Sequence, residues 1–322
     1  VNRVAYANSS ALLAALAATL TLAWPRGSVS PKRGPDRNDP RSGLPAKTRL
    51  ANGEPAIADA SGTPVPLRRY QRIVSTSLMT DRLLIELCEP TRIRAVSRAA
   101  AERARDGYRY RGLDLVDGFG PVEGILALKP DLVLMNRFGA QTSAQRLRGA
   151  GVVVFDLGEL RGESTLVDIA LSLGELLGEP ERARRFIDGF QGRMRRVSAG
   201  LGVRPRKRAM FLSVLGPDLQ CGTRGTSYHD ILTAAGLQDV AARDYRDWPA
   251  LSAEQVLALA PEIVVTRAGA SGRICGYPGM DHLAPCRGEG RIVEIPGELL
   301  DEAGPSMLEA AELLFALVYG SQ

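Results

Sequence analysis

Between Arg98 and Arg111 the chain places Arg98, Arg103, Arg105, Tyr108, Arg109, Tyr110 and Arg111. Arginine forks pair with carboxylate, catecholate or phosphate oxygens, and tyrosine offers a flat ring with a hydroxyl tip. That mixture suits capture of an anionic, partly aromatic ligand. Bond-making chemistry finds less to work with. The chain has only two histidines, His229 and His282, far apart in sequence. The turn Gly222-Thr-Arg-Gly225-Thr226 lacks the lysine of a phosphate-binding loop, so it reads as a ligand-facing turn. No Gly-x-Ser-x-Gly elbow and no Cys-x-x-Cys pair occur. The expectation is a binding protein that is no enzyme and holds no resident cofactor or metal.

A second set of residues is marked by repetition. Glu123-Gly-Ile-Leu-Ala-Leu-Lys-Pro-Asp-Leu-Val-Leu134 returns 131 positions later as Glu254-Gln-Val-Leu-Ala-Leu-Ala-Pro-Glu-Ile-Val-Val265. Glu, Leu, Ala, Leu and Pro recur at matched positions. Each copy reads as a short helix, a proline stop, an acidic residue and an apolar strand. One long-period repeat marks two similar lobes rather than a solenoid. Glu123 and Glu254 fall in equivalent first helical turns, where an acid favours the helix dipole.

The elements that must position these residues follow from periodicity. Strands are expected at 72–76, 93–97, 131–135 and 152–155, alternating with helices at 79–87, 121–129 and 141–149; residues 98–118 read as a polar loop. A second lobe follows the same plan, with strands 209–214 and 291–295, the second repeat copy at 254–265 and a last helix 306–319. Such alternation implies an α/β fold with mainly parallel sheets covered on both faces. Between the lobes, Leu166, Ile169, Ala170, Leu173, Leu176 and Leu177 form one apolar stripe. After Gly178 and Pro180 a second stripe runs through Ala183, Phe186, Ile187, Phe190, Met194 and Val197. This segment is expected to be a helical strut. The division is then an N-terminal lobe at 68–164, the strut at 165–201 and a C-terminal lobe at 202–322.

Ligand contacts are expected on loops at the carboxyl ends of the strands, where clefts in open α/β sheets form. The candidates are Ser77, Tyr108, Tyr110, Phe119, Asn136 and Arg137 in the first lobe, and Thr226, Tyr228, Trp248 and Arg267 in the second. Asn136 and Arg267 follow the two copies of the repeated strand.

Ahead of the lobes, an apolar run of 14 residues, Ala11 to Trp24, follows Arg3 and reads as a signal peptide or anchor at 1–24. Residues 25–67 carry eight prolines and no hydrophobic period, which reads as a disordered linker. Residues 1–70 hold 10 Lys/Arg against 4 Asp/Glu, leaving 31 against 32 in 71–322, so the net charge of +5 belongs to the N-terminal arm. A near-neutral body argues against a nucleic-acid platform. Export permits disulfides, and Cys275 and Cys286, which bracket a short loop, are the expected pair. Cys88, inside an apolar pattern, is expected to be a buried free thiol, and Cys221 sits beside Gly222 in a turn.

The export signal, paired lobes, strut and Leu128-Lys-Pro-Asp-Leu-Val133 together resemble the substrate-binding proteins of ABC importers for cobalamin, haem and ferric siderophores, the helical-backbone metal receptors. The resemblance covers roughly residues 70–320 and is carried also by Arg72-Ile-Val-Ser-Thr-Ser77, Gly118-Phe-Gly-Pro-Val-Glu123, Trp248-Pro-Ala-Leu-Ser-Ala-Glu254 and Gly304-Pro-Ser306. It implies a monomer outside the cytoplasm, in the periplasm or on the outer face of the cytoplasmic membrane, that delivers a small metal chelate to a permease dimer with its ATPase. It implies that Glu123 and Glu254 dock on that permease and that Trp248 packs on the ligand. The arginine-rich segment favours a ferric siderophore, and the shortage of aromatic residues makes cobalamin and haem the alternatives. A tethered ligand sensor on the same fold is a third reading.

Overall fold

The structure, a computed structural model, describes residues 47–102, 107–118, 120–136, 141–300 and 302–320. The expected signal at 1–24 lies outside them, as does the linker up to residue 46. Residues 47–67 overturn the tether. They form an antiparallel meander of β1 (Lys47–Arg49), β2 (Pro55–Ala58) and β3 (Pro64–Pro66). Its prolines stand at strand ends, where a missing N–H costs least. Ala56, Ile57 and Val65 are buried, and Ile57 and Val65 join the main core. The Asp59 carboxylate accepts from Arg148 Nη2 at 2.7 Å and from the Asp156 amide at 3.2 Å, which fastens the meander to the first lobe.

That lobe is a five-stranded parallel sheet of β4 (Ile73–Ser75), β5 (Ile93–Ser97), β6 (Asp114–Val116), β7 (Leu132–Met135) and β8 (Val154–Asp156), in the order β6-β5-β4-β7-β8. Helices Leu78–Leu87, Val122–Ala127 and Gln141–Gly149 connect its strands. The expected polar loop at 98–118 is more ordered than its composition suggests. It contains the helix Arg98–Glu102, a 3₁₀ turn Gly107–Tyr110 and the edge strand β6.

The second lobe has β9 (Arg208–Leu215), β10 (Asp218–Gly222), β11 (Gln238–Asp239), β12 (Ala250–Leu251), β13 (Ile263–Arg267) and β14 (Arg291–Ile295). Its path is β12-β10-β9-β13-β14, with β11 beside the start of β9. Pairs β9–β13 and β13–β14 are parallel, whereas β10 turns back antiparallel on β9 through Gly216 in the left-handed region.

The two repeat copies lie in separate sheets and match in detail. Lys129 and Ala260, equivalent positions, are two of the three non-glycine residues with positive φ among the described residues, at 49° and 43°. Arg72 Nε donates to the Lys129 carbonyl at 2.6 Å, and Arg208 Nε to the Ala260 carbonyl at 3.2 Å. Asp131 accepts from the Arg72 amide and Glu262 from the Arg208 amide. Each lobe thus uses the acid after the proline to clamp the start of its first strand.

Between the sheets, the helical segment is a hairpin rather than one rod. Helix Glu163–Leu177 ends at Gly178 (φ 73°), and Pro180 opens helix Pro180–Ala199. Gly174 lets the limbs close up, since a Cβ there would lie 2.5 Å from that of Ala183. Gln191 bonding Glu163 at 2.9 Å makes the limbs antiparallel. The second limb, 20 residues or about 30 Å long, is tied to the first lobe by Arg182 to the Glu86 carbonyl and to the last helix by Arg193–Glu312. One apolar core runs from Ile57 and Leu132 through this hairpin to Ile263 and Leu314.

Candidate functional site

Ser77 and Asn136 follow the neighbouring strands β4 and β7. The Ser77 hydroxyl caps the Leu78–Leu87 helix, and the half-buried Asn136 amide rests against Met79 Sδ at 4.0 Å. Gly118 lets the loop after β6 close on the same edge, because a Cβ there would lie 1.8 Å from the Thr76 carbonyl oxygen. Phe119 and Arg137 lie outside the described residues.

Two candidates are corrected. Tyr110 is 2% exposed and belongs to the core, where burial raises its phenol pKa. Thr226 is fully buried and spends its hydroxyl on the Thr223 carbonyl at 2.7 Å. Neither side chain meets a cleft. Tyr228 is half-buried and stacked on Phe211 with ring centroids 3.7 Å apart, over Gly222, where no Cβ would fit. Arg267 is exposed at the end of β13 and runs over Gly297.

The lobes meet at Arg161, a residue that sequence reasoning missed. Its guanidinium pairs with Asp247 and covers the ring of Trp248 at 4.7 Å. Trp248 keeps 40% of its surface exposed. Asp247 reaches this position through a left-handed backbone, φ 63°. Nothing marks Arg161 beforehand except its place before a helix.

Next to this contact lies a cavity of about 520 Å³, within the size range of small-ligand sites. Gly162, Glu163, Val167 and Asp168 form one wall, and Arg224, His229 and Asp230 of the second lobe form another. His229 Nδ1 lies 2.8 Å from Asp239 Oδ2, and the Thr223 hydroxyl donates to that same oxygen at 2.7 Å. The Ala241 amide donates to Asp239 Oδ1 at 3.0 Å. The hydrogen bond to Asp239 raises the His229 pKa, against the opposing effect of burial.

A second cavity, about 390 Å³, opens where the first lobe, the hairpin and the last helix converge. Tyr108, 65% exposed, lines it with Arg109, Phe186, Phe190 and Leu308. Arg109 bonds Glu86 at 2.6 Å. Beside it the buried pair Arg82–Glu302, 3.3 Å apart, joins the Leu78–Leu87 helix to the approach of helix Ser306–Tyr319. The candidate ligand residues are therefore divided, with Tyr108 at this opening and Trp248 at the other junction.

Glu123 and Glu254 are both exposed in the first turns of equivalent helices. A hydrogen bond with Ser252 lowers the Glu254 pKa. Cys275 and Cys286 form a disulfide with Cα atoms 5.4 Å apart, and Cys88 and Cys221 are buried free thiols. Among the described residues no helix is long and apolar enough to cross a membrane.

Known proteins share this architecture. The chain is 30% identical over 196 residues to the vitamin B12-binding protein of Salmonella typhimurium, a match covering 60% of this chain and 71% of that protein. It is 22% identical over 205 residues to an uncharacterized ABC transporter substrate-binding lipoprotein of Bacillus subtilis, across 62% of this chain and 65% of the relative's length. A possible iron-binding, periplasmic solute-binding protein of Staphylococcus epidermidis superposes with a TM-score of 0.69 at 20% identity, over 78% of this chain and all of that one. The model of the periplasmic binding protein family matches residues 73–275, more than half of the sequence, and the chain belongs to that family.

Proposed function

We propose that this protein works outside the cytoplasm as the substrate-binding component of an ABC importer, taking up a metal chelate where its two lobes meet. The observation that carries this reading is the 520 Å³ cavity between the start of the hairpin and the Arg224–Asp230 segment, beside a half-exposed tryptophan. The relatives support the same class of work, since the Bacillus protein is named as an ABC transporter substrate-binding lipoprotein and the Salmonella protein as vitamin B12-binding.

Within metal chelates, the geometry shifts the balance away from a ferric siderophore. The arginine-rich segment that favoured one spends Arg109 on Glu86 and buries Tyr110. A cobalamin-like macrocycle gains by comparison, because it needs few charged partners and the 30% identical relative is named for one. Fluorescence titration of the full chain tests the reading, with Trp248→Phe as control for the other tryptophan, Trp24. The panel is cyanocobalamin, aquocobalamin, haemin and a ferric catecholate. Saturable quenching by a corrinoid that is lost in Trp248→Phe supports it. Saturation by the catecholate alone restores the siderophore reading, and no binding by any of the four overturns the chelate reading.

A further inference from the structure

We infer that the second cavity, about 390 Å³ where the first lobe, the hairpin and the last helix converge, binds an aromatic carboxylate. Arg185 is the anion contact, and Phe186, Phe190 and Tyr108 are the ring contacts. This site is separate from chelate uptake, for it shares no lining residue with the cavity beside the Arg161–Trp248 contact.

One wall of the cavity is a face of helix Pro180–Ala199, where Arg185, Phe186, Gly189, Phe190 and Arg193 recur at helical spacing. Glycine inside a helix is less stable than alanine, because it loses more backbone freedom on folding. Close packing explains Gly174, which faces Ala183 across the hairpin. Gly189 has no such cause, since a Cβ there would meet nothing within 4 Å. Its missing side chain leaves the wall open. Phe190 and Leu308 are buried beside it, and Tyr108 stands largely exposed. The Phe186 and Phe190 rings lie 6.3 Å apart with their planes at 25°. Such rings take a further flat ring by offset or edge contact, which an aliphatic chain cannot match.

Charge sets the sign of the ligand. Among the described residues, four arginines line the cavity against two acids, Glu86 and Glu309. Three of the four are spoken for: Arg82 is held by Glu302, Arg109 by Glu86 and Arg193 by Glu312. Arg185 is exposed and makes no ion pair or hydrogen bond among the described residues. One unspent guanidinium matches one carboxylate, whose two oxygens fit its planar fork. The Arg109 and Arg193 pairs are partly exposed and therefore weak, so either can turn towards the same anion at little cost. A volume of this size holds a ligand of two fused rings with its carboxylate.

Calorimetric titration of the full chain tests the site with 2-naphthoate, its uncharged counterpart 2-naphthamide and the aliphatic anion decanoate. Wild type is expected to bind 2-naphthoate saturably, and the other two probes about tenfold or more weakly. Arg185→Gln should bring 2-naphthoate down to the affinity of 2-naphthamide. Gly189→Leu, which fills the open wall without removing a charge, should abolish binding of both while circular dichroism shows a folded chain. Trp248→Phe should leave 2-naphthoate affinity within about twofold, because that ring lies at the other junction. No saturable binding of 2-naphthoate to wild type overturns the site, as does undiminished binding in folded Gly189→Leu or loss of binding in Trp248→Phe. Unchanged affinity in Arg185→Gln overturns the anion contact, and decanoate binding more tightly than 2-naphthoate overturns the aromatic class.

Discussion

Asp81 is wholly buried, accepting from the Ser97 amide at 3.1 and 3.2 Å and from the Ser97 hydroxyl. Burial outweighs those hydrogen bonds and lifts its pKa to about 7. An unfolded aspartate titrates near ~3.9, so the native state holds this proton more tightly. Stability is then greatest below about pH 4, falls as pH rises towards 7 and levels above it, by about 1.4 kcal/mol per unit of difference. His229 adds to the same slope. Its raised pKa gives stability that is complete below the unfolded imidazole value of ~6.5 and is lost as pH rises through the folded value. Thermal melts should show a lower Tm at pH 8 than at pH 5. Asp81→Asn should flatten most of that difference, and an unchanged slope would show that Asp81 titrates as an exposed acid. At this scale the sequence reveals residue types but not their surroundings. Tyr110 and Thr226 stand near residues that line the two cavities, yet one fills the core and the other closes a turn. The pairing of His229 with Asp239 brings together groups ten residues apart across a helix end, which no local spacing rule announces.

The β1–β3 meander shows how elements escape a reading by composition. Strands of 3 and 4 residues carry too few positions for a period to show, and their prolines imitate a linker. What holds them is tertiary: Ile57 is fully buried, and the Tyr70 hydroxyl donates to the Pro66 carbonyl at 2.6 Å. Ile57→Ala should therefore cost about 2–5 kcal/mol, the range for truncating a buried aliphatic side chain. Urea unfolding of the full chain measures it, and a loss below about 0.5 kcal/mol, the scale of a surface change, would mean the meander is only loosely attached. Longer elements were legible. Helix 141–149 and strand 93–97 occur where they were expected, the helix anchored by buried Ala144 and Leu147 and the strand buried on both faces apart from Arg94. Across the break at Gly178 and Pro180 the strut's two stripes stay continuous in phase, so periodicity marks two helices but not the direction of the second. Only Gly178 in the left-handed region and the Gly174–Ala183 contact show that the chain turns back.

For the whole molecule, the consequence is stiffness with two marked ends. A single apolar core joins both sheets through the hairpin, and the buried Arg82–Glu302 pair and the Arg161–Asp247 pair tie the lobes at two further places. Opening the lobes widely would strip partners from a buried charge, which costs several kcal/mol. Ligand capture should thus close them by only a few degrees. Such a body can present two fixed points to a partner, and the repeat supplies two. Glu123 and Glu254 stand exposed in matched first turns, each held by a helix whose end is clamped to its own sheet by the same arginine and acid. Neither residue lines a described cavity. Glu123→Ala and Glu254→Ala are each expected to lower uptake in a reconstituted importer about fivefold or more, the loss of one charge-assisted contact of ~1–2 kcal/mol. Ligand affinity, read by the same fluorescence titration, should stay within about twofold, since a surface change of this kind is worth ±0.5 kcal/mol. Undiminished uptake in the double variant would remove the docking role. A loss of affinity in a folded single variant would instead place that glutamate at the ligand.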